Sequence, residues 1–205
     1  MIRFVFIVFI VIHFSSCNNN SISTEEFVKQ VEQDDIYNQV IEKGEIIYSC
    51  RYLPPEYMAL KNFSPEDVLN GKVNKEIFKK ATEEYSRGKY FQLRISRKDG
   101  TEISKSLVNN LKDYGRLQEY FTNGMLKDFF AEAKDKNITA INYQYNRTYG
   151  VSPFVDFVYV FPDKLPENSI FYYNDRLHSY DLPEKIAFEF DFAETQGAIL
   201  LKEIR

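Results

Sequence analysis

The sequence predicts an α+β fold, an antiparallel β-sheet or sandwich carrying two to four helices, mostly from the first half of the chain. Three observations predict it. Helix start signals cluster before residue 90, runs that alternate with a period of two crowd the stretch after it, and 18 Phe with 15 Tyr supply enough apolar surface for a core without Trp. Hydrophobic residues make up 44% of the chain, so it can fold, and no long Gly/Pro/Ser stretch or fixed-period repeat divides it.

A leader precedes the first of these elements. Arg3 stands near the start, an apolar run extends from Phe4 to Ile12, and small residues lead to a cysteine in Phe14-Ser15-Ser16-Cys17. The run covers only half of the roughly 20 apolar residues that a spanning helix needs, so it reads as a signal and not a span. The tetrad resembles the lipobox of bacterial lipoproteins, with Phe14 where that family more often has Leu. Cleavage by the ordinary signal peptidase is the alternative, for which Ser15 and Cys17 fit less well. The resemblance implies cleavage before Cys17 and diacylglycerol on its sulfur, which divides the chain into a signal peptide 1–16, a lipidated tether 17–23 and one globular domain 24–205. It also implies a membrane partner through the lipid. Asn18, Asn19 and Asn20 occupy the place where an acidic residue favours inner-membrane retention, so the expected location is the outer membrane, facing the periplasm or the cell surface. The tether from Asn18 to Ser23 reaches at most about 20 Å, which holds the domain close to the bilayer.

The mature chain opens on a capping box, Ser23 with Glu26, and Ile22 and Phe27 are spaced as a hydrophobic staple. A helix should start at Thr24 and stop near Asp34-Asp35. Residues 45–52 are β-branched and aromatic, and Pro54-Pro55 ends that strand because proline has no amide to donate. Ser64 and Pro65 start a short helix that ends at Gly71. Asn74 caps the next, with Ile77, Phe78, Ala81 and Tyr85 on its apolar face and Gly88 as its stop. Strands 90–97 and 101–107 then flank Asp99-Gly100, a pair suited to a tight hairpin.

After a helix over 114–122, strands are expected at 128–133, 141–149, 154–161, 169–173, 185–192 and 198–204. The segment 154–161 is apolar on both faces apart from Asp156 and belongs in the middle of a sheet. In the last part, Ile186, Phe188, Phe190 and Phe192 share one face.

Few residues suggest chemistry. His178 is the one histidine of the mature chain and lies in a polar stretch with no nucleophile elbow, so it reads as a surface residue. No zinc site can be assembled from His and Cys, and no cofactor is expected. Cys50 sits in a strand run between Tyr48 and Tyr52, where an inert buried thiol is the usual case. The carboxylate pairs Asp34-Asp35, Glu83-Glu84 and Glu189 with Asp191 read as solvated charges. The most distinctive segment is 142–149. Strand alternation puts Tyr143, Tyr145, Arg147 and Tyr149 on one face, either to bind a sugar or a partner protein or to cover the core.

A formal charge of −4, made more negative by loss of Arg3 with the leader, disfavours nucleic acid. The leading expectation is a lipid-anchored, non-catalytic binding or assembly module of the cell envelope, with a protein or glycan partner. An anchored inhibitor or immunity protein against a toxin or cell-wall enzyme comes second. A carboxylate-based envelope hydrolase comes third.

Overall fold

A computed structural model describes residues 21–134, 136–147, 152–166, 168–177, 183–192 and 200–201. Cys17, Tyr149, His178 and most of the expected strand 198–204 lie outside them. The α+β class and the antiparallel pairing hold. Among the described residues there are six α-helices, two more than the upper expectation.

The chain begins with β1 (Ser21–Ile22) and α1 (Thr24–Gln33), whose capping box is complete: Glu26 N–H donates to Ser23 Oγ at 3.1 Å, and Ser23 N–H to the Glu26 carboxylate at 2.9 Å. The hairpin β2 (Asn38–Lys43) and β3 (Ile46–Leu53) turns at Gly44-Glu45. Sequence reading missed β2 because it lies at a sheet edge, mostly polar and half exposed, with no alternation to see. Next come α2 (Pro55–Leu60), α3 (Pro65–Leu69) and α4 (Lys75–Tyr85). Phe78 and Ala81 of α4 are buried, but Ile77 is 54% exposed and does not belong to the inward face. The helix ends at Ser86, and Gly88 opens the next strand, β4 (Gly88–Arg97).

The expected hairpin at Asp99-Gly100 is half right. Gly100 takes φ +72°, and Arg97 grips Asp99 through two hydrogen bonds of 3.0 and 2.9 Å, so the turn forms. Residues 101–107 do not return as a strand. β4 is already paired on both sides, leaving no edge to receive them, and the fully buried Ile103 enters the core from a short helix, α5 (Ile103–Ser106). Beyond it lie α6 (Leu111–Glu119), a π-helical turn (Tyr120–Gly124) and a 3₁₀ turn (Met125–Lys127). The remaining strands are β5 (Phe129–Ala133), β6 (Lys136–Thr139), β7 (Asn142–Asn146), β8 (Phe154–Pro162), β9 (Ile170–Asp175), β10 (Glu184–Glu189) and β11 (Leu200–Leu201).

Two antiparallel sheets face one another, in the orders β2-β3-β4-β8-β7 and β10-β9-β5-β6, while β1 pairs parallel with β11. β8 is interior, as its two apolar faces require. The sheets meet through aromatic rings: Phe91 of β4 lies 4.1 Å from Phe171 of β9, and Phe129 of β5 lies 4.6 Å from Tyr159 of β8, centroid to centroid. Ile186, Phe188, Phe190 and Phe192 are all buried, as their shared face predicts. At one margin the chain passes from β6 to β7 through Ala140-Ile141. At the other, Lys43 of β2 meets Glu184 of β10 at 2.9 Å.

Candidate functional site

A cleft of about 620 Å³ opens beside α6, where the helix runs into the π-helical turn. Asn110 caps α6 through Asp113 N–H at 3.0 Å, and Leu117 is the buried residue of the helix. The π turn brings Tyr120 inward. A Cβ on Gly124 would stand 2.4 Å from Cδ2 of Tyr120, so only glycine lets that ring close against the turn.

Below the cleft lies a buried polar hub. Asp128, 4% exposed, accepts from Tyr120 Oη at 2.8 Å and from Arg176 Nε at 2.8 Å. Its backbone carbonyl takes Asn174 N–H at 2.8 Å, tying the start of β5 to β9. Asp175, 3% exposed, accepts from Tyr48 Oη at 2.5 Å and from Leu177 N–H at 2.9 Å. Tyr159 donates to the Met125 carbonyl at 3.2 Å, and Tyr173 meets Met125 Sδ at 3.7 Å.

Burial, together with the neighbouring Asp128 and Asp175 carboxylates, pushes Tyr120 and Tyr48 far above the ordinary phenol range. Tyr159 and Tyr173 are likewise raised by burial. These phenols stay protonated and donate, so they serve as fixed hydrogen-bond donors and not as bases. The bond to Asp128 raises Arg176 further, which fixes a permanent cation at the cleft wall. Arg116 stands across from these groups on the exposed side of α6 and has no partner among the described residues. Asp113 and Glu119 also line the cleft, and Leu107, Leu117 and Leu177 supply its apolar wall. Two cations, two carboxylates and an apolar wall suit a ligand with polar groups of both kinds along an apolar body.

The aromatic segment of β7 is placed differently. Tyr143 stacks on Tyr159 at 5.4 Å and 15°, and its hydroxyl donates to the Phe121 carbonyl at 3.1 Å. Tyr145 stacks on Phe157 at 5.2 Å and 23° and touches Phe121 at 5.4 Å. Both rings are half-buried and roof the core edge. Arg147 donates to Thr122 Oγ1 at 2.9 Å, pinning β7 to the π turn. Tyr143, Tyr145 and Arg147 thus buttress one side of the turn whose other side holds Tyr120.

Cys50 is completely buried, and burial pushes its thiol up. The carboxylates of Asp34, Asp35, Glu83, Glu84, Glu189 and Asp191 are on exposed residues. Among the described residues no group of three His, Cys, Asp or Glu is placed to hold a metal, and no helix is long and apolar enough to cross a membrane.

Sequence reading missed Tyr120, Asp128, Asp175 and Arg176. The available signal was position: Asp128 immediately precedes β5, and Asp175 ends β9 just before Arg176. An acid at the end of an aromatic strand is placed to be buried if a phenol or guanidinium meets it, but the partners come from residues 8 to 127 positions away.

No protein-family model matches the chain, and no curated protein matches it. Among solved structures, it is similar to a DUF4426 family protein from Pseudomonas aeruginosa PAO1, at 9% identity and a TM-score of 0.38, over 75% of this chain and 92% of that one. A likeness this loose bears on neither ligand nor activity.

Proposed function

We propose that the chain is a lipoprotein of the bacterial cell envelope, held by lipid on Cys17 in the outer membrane, and that its domain is a non-catalytic binding module. The cleft beside α6 is the binding site, for a peptide or glycan of the envelope. The observation that carries the reading is the leader: Arg3, the apolar run to Ile12, and Ser15-Ser16 directly before Cys17. The start of the fold supports it. Ser21 already pairs in β1, so four residue steps connect Cys17 to the domain, a reach of at most about 14 Å.

The binding half of the reading is supported by the exposed Arg116 of α6 beside the apolar wall of Leu107, Leu117 and Leu177, over a cleft base that Asp128 holds in place through Tyr120 and Arg176. Mass spectrometry of the mature amino terminus is the deciding measurement. The expected first residue is Cys17 carrying diacylglycerol, and an unmodified cysteine or a different first residue overturns the anchor. Crosslinking on intact envelopes then tests the cleft: a defined partner should be captured by the native chain and lost with Arg116→Glu. Capture that survives this charge reversal removes the cleft as the site.

A further inference from the structure

A second concavity lies beside α1, the first helix of the domain. It is a groove of about 500 Å³ between α1, α2 and α3. Val28, Leu60, Phe63, Pro65, Val68 and Leu69 make its apolar lining, and Leu69 is 59% exposed. Thr24 Oγ1 donates to the Val68 carbonyl at 2.6 Å, which pins the first turn of α1 to the last turn of α3.

The charged groups around this groove are already matched. Lys29 and Glu25 pair at 2.6 Å, and Tyr57 Oη donates to Glu32 at 2.9 Å. The Lys61 ammonium sits 5.0 Å from the centre of the Tyr57 ring. Two acids and two bases therefore rim an aliphatic floor and leave no net charge to select a charged occupant. Water against that floor is unfavourable, at about 25 cal/mol per Å² of apolar surface left wet. An uncharged hydrocarbon chain satisfies it.

The length and ending of the chain before α1 identify where such a hydrocarbon comes from. Thr24, next to Glu25 of the groove lining, stands seven residues after Cys17, and four residue steps keep Ser21 within about 14 Å of the Cys17 backbone. Resting on the anchor reading, we propose that this groove receives an acyl chain from the bilayer to which Cys17 tethers the domain, so that the α1–α3 face lies on the membrane. The cleft beside α6 is then the part presented to a soluble partner. The matched rim fits a zwitterionic headgroup at the groove mouth, and the tether supplies proximity without any basic patch.

The test uses the full lipidated chain in phosphatidylcholine vesicles that contain phospholipid with a nitroxide on its acyl chain. A polarity-sensitive fluorophore is attached at Leu69→Cys, or in a second preparation at Val28→Cys. Leu111→Cys on α6, a site 85% exposed, is the control. Cys50 is buried and stays unlabelled. The groove probes should shift to the blue and be quenched several-fold more than the control. Equal quenching at Leu69 and Leu111 overturns the proposal. So does a blue shift without quenching, which would mean that the chain's own anchor or a peptide fills the groove. The amino-terminal mass of the same preparation separates the two failures. Lipid on Cys17 with no quenching sinks the groove alone, whereas an unmodified Cys17 sinks the anchor and the groove together.

Discussion

The cleft beside α6 and the groove along α1 are of similar size, about 620 and about 500 Å³, and both join an apolar wall to charged groups, but they dispose the charges differently. The floor of the cleft is hydrogen-bonded charge, with Asp128 holding both Tyr120 and Arg176. The floor of the groove is apolar, and at its rim Lys29 pairs with Glu25 while Glu32 accepts from the Tyr57 hydroxyl. On the proposed reading the exposed Arg116 directs how a ligand lies, so the cleft would select by direction. An apolar floor accepts any hydrocarbon of suitable width, so on the proposed reading the groove would select by location. The two concavities also differ in what they do for the fold. The groups beneath the cleft tie β5 to β9 and the π turn, whereas those of the groove tie α1 to α2 and α3 and leave Leu69 exposed.

The largest difference is therefore expected in stability. Asp128→Ala leaves the Tyr120 hydroxyl and the Arg176 guanidinium without their acceptor. It should cost about 3 kcal/mol, below the upper range for a broken buried pair because Arg176 is partly exposed. Leu69→Ala in the groove should change stability by no more than about 0.5 kcal/mol. Denaturant unfolding of the two variants measures both, and equal midpoints would erase the contrast between the floors.

Alkaline titration should give the next effect and act on both regions. Tyr57 at the groove is pushed up to about 12 from an ordinary value of 10.0, first by burial and then by its bond to Glu32. Burial likewise raises Tyr120 at the cleft and Tyr48, Tyr159 and Tyr173 in the core. A raised folded-state value means that the unfolded chain loses its protons first. Stability is complete below about pH 10 and falls as pH rises through 12. The tyrosinate absorbance that Tyr57→Phe removes should be part of what appears together with loss of circular dichroism, and its appearance ahead of unfolding would show that this phenol is not held by the fold. Tyr48→Phe should have a smaller effect, about 1–2 kcal/mol. It removes the Asp175 Oδ2 donor and leaves the Leu177 amide on Oδ1. A loss no larger than that of Leu69→Ala would show that the buried bond is silent.

The parts of this architecture that were legible are those whose cause is local. Ser23 with Glu26, Ser64 with Pro65, and Asn74 each mark a helix start because cap and helix lie within four residues. Alternation over 186–192 reported burial because a strand samples its two faces every second residue. The edge strand β2 was silent because neither face is covered enough to demand apolar residues. Asp99-Gly100 announced a turn but not the helix after it, since that outcome depended on β4 having two partners already. The cleft was the least legible. Tyr48 and Asp175 are 127 residues apart, and no short-range pattern connects them. The conspicuous residues of β7 drew attention because they are aromatic and repeated, and the structure stacks two of them on Phe157 and Tyr159 as the wall of the π turn.

The smallest effect concerns what the two regions have in common. Each is bordered by a helix with a reciprocated cap: Ser23 and Glu26 exchange bonds at α1, and Asn110 accepts from Asp113 N–H while donating to its carboxylate at α6. Ser23→Ala and Asn110→Ala should each cost about 1 kcal/mol, because both leave one amide of a first turn unmet in partly exposed surroundings. Equal shifts in the unfolding midpoint would place the difference between cleft and groove in their floors. A markedly larger loss at Asn110 would mean instead that α6 is held mainly by its cap, and that Arg116 depends on the cap for its position over the cleft.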